Sequence, residues 1–371
     1  MKLVTDSTPD KEQGNPLSLY SATMTASEPR VLGKTGLRLP RIVFGTSCLG
    51  NLFQVIQDDT RHAIVSEVVR HSIPAVFDSA GKYGAGLALE VLGDSLRKLH
   101  VPPARVLISN KLGWYRVPLR EGQPTFEPGV WADLRHDAEL RISYEGIIQC
   151  FEQGCALIGP GYTSRMVSVH DPDQFLDGAK TPWERTQRFK SLVDAYRALF
   201  ELKAKGNVDA VGIGSKNWRV IREVSERVDL DWVMLACSLT LFSHPRELLD
   251  FVSHLHSRGV GVINSAVFHS GFLTGGAWFD YRKPSLHDDS HLYVWRDSFF
   301  RVCRRFGVRP ADACVQFGLA LPGVIAVALN TGKPERIKDN IQTATQEIPS
   351  RFWRTLKEEG LVDRDYPFAS F

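Results

Sequence analysis

The chain has 371 residues, 43% hydrophobic and 23% charged, a composition ordinary for globular proteins and compatible with one large domain. Its 45 Lys and Arg against 42 Asp and Glu give a formal charge of +3 without a dense basic run, which argues against nucleic-acid and membrane partners. Six scattered cysteines without a C-x-x-C pair, and no His cluster at metal-ligand spacing, predict a reduced cytoplasmic protein with no metal site.

The first part of the chain predicts an arm followed by a hairpin. Residues 1–28 are rich in Ser, Thr, Pro and acidic residues and have no hydrophobic period, which is typical of a flexible arm. From Arg30, the run RVLGKTGLRLPRI has two short apolar stretches around Gly36, which indicates a β-hairpin with glycine in its turn.

Short β-rich runs then alternate with longer amphipathic stretches, the pattern of βαβ units and a parallel sheet. The eight predicted strands cover 41–46, 75–80, 106–111, 166–171, 210–215, 232–238, 259–267 and 324–330. Among the predicted helices, one contains Ala195, Leu199 and Leu202 at helical spacing and ends at Gly206. Eight strand and helix pairs predict a closed (β/α)8 TIM barrel over 29–349, followed by a C-terminal helix and tail over 350–371.

Two connections, 112–135 and 268–289, are long and follow the carboxyl ends of strands. In a β/α barrel that face holds the active site, so both are expected to border a substrate or cofactor. They carry the aromatic residues Trp114, Tyr115, Phe126, Trp131, Phe272, Trp278, Phe279 and Tyr281. We expect Trp114 and Tyr115 to line the substrate pocket, and such walls suit sugar rings and flat carbonyl compounds equally.

Polar residues at the predicted strand ends are the candidates for catalysis. Asp78 closes the second strand, Tyr83 follows five residues later, Lys111 closes the third strand, and His170 closes the fourth. A single strand-end Asp or His is more often a helix cap, but an acid, a phenol, an amine and an imidazole on one rim favour hydride transfer to a carbonyl with proton supply. Lys111 is expected to favour the Tyr83 phenolate, and Asp78 to orient Lys111.

These segments resemble the aldo-keto reductase family from about Arg30 to Asn340. VLGKTGLRLPRIVFGTSCLG resembles the family's hairpin and first strand, FDSAGKYG its Asp-x4-Tyr signature, and SNK and SVHDPD its Lys and His segments. The resemblance implies that the same four residues are a catalytic tetrad with Tyr83 as the proton-transfer group. Residues 151–165, before the fourth strand, depart from the family's usual short connection and look like an insertion.

The resemblance also implies a nicotinamide cofactor extended across the barrel mouth, without a Rossmann domain. No G-x-G-x-x-G follows the first strand, which agrees with this. The residues implied to bind it are Gly214, Ser215, Phe268, Ser270, Gly271, Thr331, Lys333, Arg336 and Asn340. Lys333 and Arg336 favour NADP, because Arg binds a 2′-phosphate in a bidentate way, but an exposed helix start commonly carries such charges and NAD stays possible.

Within the family, the runs NSAVFHSGFLTGG and HDPD are most similar to sugar dehydrogenases that act at aldose C1, such as D-threo-aldose (L-fucose) and L-galactose dehydrogenases. The implied reaction converts a cyclic hemiacetal into a lactone. The alternatives are an NADPH-dependent aldehyde or ketone reductase of a biosynthetic pathway and, from another class, a cofactor-binding regulatory subunit. A small-molecule substrate and a monomer or homodimer are expected.

Overall fold

The computed structural model describes residues 28–120, 122–280 and 282–366. The predicted arm therefore lies outside the described residues except for Glu28, and so does Tyr281. The strands are β1 (Arg30–Val31), β2 (Arg38–Leu39), β3 (Ile42–Gly45), β4 (Ala75–Ala80), β5 (Val106–Leu112), β6 (Trp114–Pro118), β7 (His136–Leu140), β8 (Ser164–His170), β9 (Ala210–Ser215), β10 (Trp232–Ala236), β11 (Gly261–Ser265) and β12 (Val324–Leu329).

The α-helices alternate with the strands along the chain. They are α1 (Asp58–His71), α2 (Leu87–Lys98), α3 (Tyr144–Ile158), α4 (Pro172–Asp177), α5 (Pro182–Ala204), α6 (Trp218–Ser225), α7 (Arg246–Ser257), α8 (Ser290–Phe306), α9 (Pro310–Leu319), α10 (Ile337–Gln342) and α11 (Ser350–Glu358). No helix among the described residues has the length and apolar character needed to cross a membrane.

Eight parallel strands close into a barrel in the order β3, β4, β5, β8, β9, β10, β11, β12, with β12 paired to β3. Each of the eight predicted strands overlaps one of these, so the predicted (β/α)8 barrel is confirmed. The predicted helix over the Ala195 segment is also confirmed, because α5 ends at Ala204 and Gly206 adopts a φ of 75° just beyond it.

The hairpin of β1 and β2 closes the amino-terminal end of the barrel. Leu32 and Leu39 are fully buried and pack in the same cluster as Trp232 inside the barrel. Gly33 has a φ of 51°, and a Cβ there would lie 2.6 Å from the backbone oxygens of Asp231 and Gly259. Only glycine permits this close approach. The apolar side chains of the hairpin thus fill the amino-terminal end of the barrel, and polar residues can collect at the carboxyl end.

Two segments differ from their sequence predictions. The long connection after β5 contains an antiparallel ribbon, in which Trp114 of β6 pairs with Leu140 of β7.

Residues 151–165 are not an insertion, since most of them form the second half of α3, the helix that joins the third and fourth barrel strands. Gly159, with a φ of 81°, ends that helix, and the Tyr162 hydroxyl donates to the Val101 carbonyl at 2.6 Å. Residues 144–158 have the apolar spacing of a helix, and they form one although glycines lie at its end.

The C-terminal helix α11 belongs to the same hydrophobic core as the barrel helices. Phe352, Trp353 and Leu356 are buried in the large cluster that also contains Phe299 of α8. The aromatic rings of Phe306 and Phe352 meet edge to face at 6.0 Å.

Candidate active site

The four predicted catalytic residues converge at the carboxyl rim of the barrel. Asp78 lies in β4, Lys111 in β5 and His170 at the end of β8, while Tyr83 lies in the turn after β4. Because the strands are parallel neighbours in the order β4, β5, β8, their carboxyl ends bring these side chains together.

A buried ion pair joins the second and third barrel strands. The Lys111 ammonium contacts the Asp78 carboxylate, and both side chains are 4% exposed. Ser109, the register partner of Asp78, donates a hydrogen bond to the second carboxylate oxygen at 3.2 Å. Both oxygens of Asp78 are thus engaged, which fixes the direction of the Lys111 side chain.

Tyr83 lies over this ion pair with its ring partly exposed. The Lys111 Nζ atom is 4.8 Å from the ring centroid, and the His170 ring meets Tyr83 edge to face at 5.6 Å. The Tyr83 hydroxyl makes no hydrogen bond with any described residue, so it is available to a substrate oxygen. Burial, followed by the negative charges of Asp78, Asp171 and Glu127, raises the pKa of Tyr83 well above its ordinary value.

Lys111 lies beside the Tyr83 ring, as the sequence prediction requires, but its charge does not set the direction in which the pKa of the phenol moves. Asp78 offsets part of the effect of the Lys111 charge, and burial together with the nearby carboxylates outweighs the rest, so the pKa of Tyr83 moves upward. The residue is accordingly a protonated acid at rest.

His170 is neutral at this rim. Burial, together with the charges of Lys82, Lys111 and Lys216, holds the pKa of His170 well below its ordinary value. Its Nδ1 atom is buried and has no hydrogen-bond partner among the described residues, and its Nε2 atom lies 3.6 Å from a carboxylate oxygen of Asp171. A neutral imidazole carries one N–H, which suits it to hold a substrate oxygen beside Tyr83 without adding charge.

A second ion-pair network, absent from the sequence prediction, connects the segment after β5 to this rim. Lys82 is 4% exposed and contacts Glu127 at 2.6 Å and Asp171 at 3.2 Å. The other oxygen of Glu127 accepts a hydrogen bond from Trp131 Nε1 at 2.8 Å, and the Trp131 ring lies 5.8 Å from Tyr83. The network therefore holds the Trp131 indole ring beside Tyr83.

The structure separates the two predicted substrate-pocket residues. Trp114 packs in the small cluster that contains Tyr83 and Phe126, with its ring 5.6 Å from Phe126. Tyr115, the next residue along β6, lies on the opposite face and stacks with Arg141 at 3.8 Å. Successive strand side chains alternate, so only Trp114 is brought to Tyr83.

The predicted nicotinamide-binding pair lies at the end of β9. Gly214 is the register partner of His170, and a Cβ at Gly214 would lie 3.4 Å from Lys111 Cδ, so glycine leaves room beside the catalytic lysine. Ser215 is buried and its hydroxyl accepts from the backbone N–H of Asn217 at 3.1 Å. That hydroxyl is already engaged in the turn to α6.

Phe268, Ser270 and Gly271 form a tight turn after β11. The Phe268 carbonyl accepts from the backbone N–H groups of Gly271 and Leu273, and Gly271 and Ser270 have φ values of 92° and 56°. The Gly271 carbonyl accepts from Gly276 N at 2.8 Å, which folds the loop back on itself. These bonds engage the backbone N–H groups of Gly271, Leu273 and Gly276 within the turn and fix its shape at the rim.

The remaining predicted cofactor residues lie after β12. Lys333 and Arg336 are exposed and flank a short 3₁₀ turn that leads directly into α10, which carries Asn340. The Thr331 hydroxyl accepts from Lys333 N at 3.2 Å. Two cations at a helix start form a surface suited to a phosphate.

Lys82, Glu127 and Trp131 are the site residues whose roles sequence reasoning missed. Lys82 directly precedes Tyr83, and this position is the one feature of the sequence that could have indicated a role for Lys82 at the site. Glu127 is 45 residues from Lys82 in sequence, so their contact depends on how the segment after β5 folds.

A closed β/α barrel with an acid, a phenol, an amine and an imidazole at its carboxyl rim defines a barrel oxidoreductase. The model of the Aldo/keto reductase family matches residues 41–359. The chain therefore belongs to the aldo/keto reductase family and is an NAD(P)-dependent oxidoreductase, as its sequence motifs predicted.

Three relatives are similar over nearly their whole lengths. Pyridoxal 4-dehydrogenase of Microbacterium luteolum is 30% identical, covering 91% of this chain and 99% of the relative. D-threo-aldose 1-dehydrogenase of a Pseudomonas species is 27% identical over the same shares, and L-galactose dehydrogenase of Arabidopsis thaliana is 26% identical, covering 87% and 90%. The predicted similarity to the two sugar dehydrogenases is confirmed.

The two pKa shifts give an expected pH dependence. The pKa of Tyr83 is raised and that of His170 is lowered, so Tyr83 is protonated and His170 neutral between about pH 7 and 9, and kcat/KM for carbonyl reduction should be flat there. In the oxidising direction the phenolate is required, so kcat/KM should rise about tenfold per pH unit over the same range. Steady-state pH profiles in both directions check this. A bend near pH 6.5 in reduction, or a plateau of oxidation already reached at about pH 7, would contradict these protonation states.

Proposed function

We propose that the chain is an NAD(P)-dependent aldose 1-dehydrogenase, which oxidises a cyclic hemiacetal to a lactone. The observation that carries this is the Tyr83 hydroxyl, free of hydrogen bonds to the described residues and flanked by Lys111 and His170. Oxidation of a hemiacetal requires its hydroxyl proton to leave as the carbon loses hydride. Tyr83 is the group positioned to take that proton.

In the oxidising direction, Tyr83 must first release its own proton. Its raised pKa makes this the costly step. Lys111, 4.8 Å from the ring centroid, then stabilises the phenolate by its charge. His170 donates its single N–H to the same substrate oxygen and holds it at the phenol, so the two residues share one oxygen without a second charge.

The residues of the barrel mouth are suited to a nicotinamide cofactor. Gly214 leaves space beside Lys111 that a Cβ would fill, the turn at Gly271 gives the loop after β11 a fixed shape, and Arg336 supplies a cation at a helix start. Bound there, the cofactor would accept or supply the hydride. We infer that Gly214 lies at its nicotinamide end and that Lys333, Arg336 and Asn340 lie at its adenosine end.

The wall beside Tyr83 favours a ring-shaped substrate. Trp131 is held by Glu127 through its indole N–H, and its ring stacks with Phe126 at 6.4 Å. Flat aromatic faces pack against the C–H face of a sugar ring or against an aromatic ring. Aldoses and pyridoxal both close into cyclic hemiacetals in water, so the names of the three relatives support one substrate class, the cyclic hemiacetal.

Carbonyl reduction is the second candidate. The raised pKa of Tyr83 favours it, because a protonated phenol at rest is ready to donate to a developing alkoxide. The regulatory-subunit alternative is disfavoured, because binding alone does not require the buried Asp78–Lys111 pair beneath an unbonded phenol.

A substrate panel with wild-type protein and Tyr83→Phe tests the proposal. Aldoses, pyridoxal and aromatic carbonyls are supplied with NAD⁺, NADP⁺ or NADPH while reduced-nicotinamide absorbance is followed. We expect oxidation of at least one cyclic hemiacetal, and a loss of kcat of at least about 100-fold in Tyr83→Phe with the cofactor Kd unchanged within about threefold. Tyr115→Phe, on the opposite face of β6, is the matched control and should retain activity.

Two outcomes would overturn the aldose assignment. Reduction of carbonyls by NADPH with no hemiacetal oxidation would make the chain a carbonyl reductase. Tight cofactor binding without turnover of any compound would favour the regulatory alternative.

The cofactor preference is tested at the start of α10. We propose that Arg336 binds the 2′-phosphate of NADP, so Arg336→Ala should raise the Kd for NADP by about 10- to 100-fold and leave that for NAD nearly unchanged. Lys338→Ala, an exposed cation two residues further on, is the matched control and should change neither value. Equal losses for both cofactors in Arg336→Ala, measured by fluorescence titration, would show that Arg336 does not contact the 2′-phosphate.

A further inference from the structure

Three side chains with metal-binding atoms meet at the carboxyl rim, away from the catalytic four. Cys237 follows β10, and His269 and Asp280 lie in the segment after β11. One ligand atom from each lies within 4.8 Å of the others. The sequence prediction of no metal site rested on local spacing, and these residues are separated by 32 and 11 positions, so only the fold brings them together.

His269 is fixed in place from several sides. It is 2% exposed, its Nδ1 atom lies 2.9 Å from Asp280 Oδ1, and its ring stacks on Phe279 at 4.5 Å. Its Nε2 atom lies 2.7 Å from the hydroxyl of Thr240, which is fully buried. Because the Thr240 hydroxyl holds Nε2, the Nδ1 atom of His269 points in a fixed direction. Metal-ligating histidines are commonly oriented in this way.

Cys237 occupies a backbone conformation that favours glycine. Its φ is 58°, and those of His269 and Asp280 are 46° and 45°, so all three residues lie in the left-handed region. Backbone strain of this kind collects at functional sites.

We propose that Cys237, His269 and Asp280 bind one divalent cation of the zinc class. A thiolate, an imidazole and a carboxylate are the ligands that Zn²⁺ takes in proteins, and three of them leave a fourth position for water or another oxygen. Ligand atoms around tetrahedral zinc lie about 3.3 to 3.8 Å apart, so the observed cluster needs only small adjustments. On binding, the Cys237 sulfur loses its proton to solvent and forms the metal bond.

The site would tie the end of β10 to the loop that carries Phe268, Ser270 and Gly271. The ammonium of Lys216 opposes a cation here, since its positive charge acts on both Cys237 and Asp280. Lys216→Ala should therefore tighten cation binding.

Cobalt(II) is the probe for this site, because a Co²⁺–thiolate bond has a near-ultraviolet charge-transfer band. Full-length, metal-free protein is titrated with Co²⁺, and we expect one ion per chain, the thiolate band, and release of about one proton. Cys237→Ser should lose the band, whereas Cys155→Ser, which changes another partly exposed cysteine, should keep it. Thr240→Val should weaken Co²⁺ binding by about 10- to 100-fold, because it removes the hydroxyl that holds His269.

These readouts do not use enzyme activity, so they stand apart from the proposed reaction. Absence of a thiolate band in the wild type, or a band that persists in Cys237→Ser, would overturn the proposal. If circular dichroism shows that Cys237→Ser is unfolded, the Co²⁺ titration is repeated with Asp280→Asn instead. Unchanged Co²⁺ affinity in folded Asp280→Asn would equally overturn it.

Discussion

The buried contact between the Asp78 carboxylate and the Lys111 ammonium is the constraint around which the rim of the barrel is arranged. Each charge is stable in the interior only because the other is present, and removing one partner from such a pair costs about 3 to 5 kcal/mol. The pair joins two strands and lies under Tyr83, with Lys111 Nζ 4.8 Å from its ring. Burial and the surrounding carboxylates keep the proton on Tyr83, while burial and the charges of Lys82, Lys111 and Lys216 keep His170 neutral.

Two long segments complete the mouth of the barrel on opposite sides of this pair. The segment after β5 carries Glu127 and Trp131, and the Lys82–Glu127 contact fastens it next to Tyr83. The segment after β11 is held by His269, which bridges Thr240 and Asp280. Each segment is thus anchored by a buried polar residue, which gives the rim a defined shape without regular secondary structure over much of its length.

The sequence predicted the barrel well because each strand is a short β-rich run between amphipathic helices, a local pattern that needs no knowledge of distant contacts. The convergence of Asp78, Lys111 and His170 followed from the rule that parallel strands share a carboxyl edge. What failed depends on long-range packing. The partners of Lys82, the outward face of Tyr115 and the upward pKa shift of Tyr83 all follow from how residues far apart in sequence come together.

The proposed reaction rests on removal of the C1 hydrogen of an aldose as hydride while Tyr83 takes the hydroxyl proton. Incubating the wild-type protein with an aldose carrying deuterium at C1 and oxidised cofactor tests this directly, with mass spectrometry of both products. The account predicts a lactone without deuterium and one deuterium on the reduced nicotinamide. Recovery of the aldose with its deuterium intact, or of deuterium in the solvent, would contradict it.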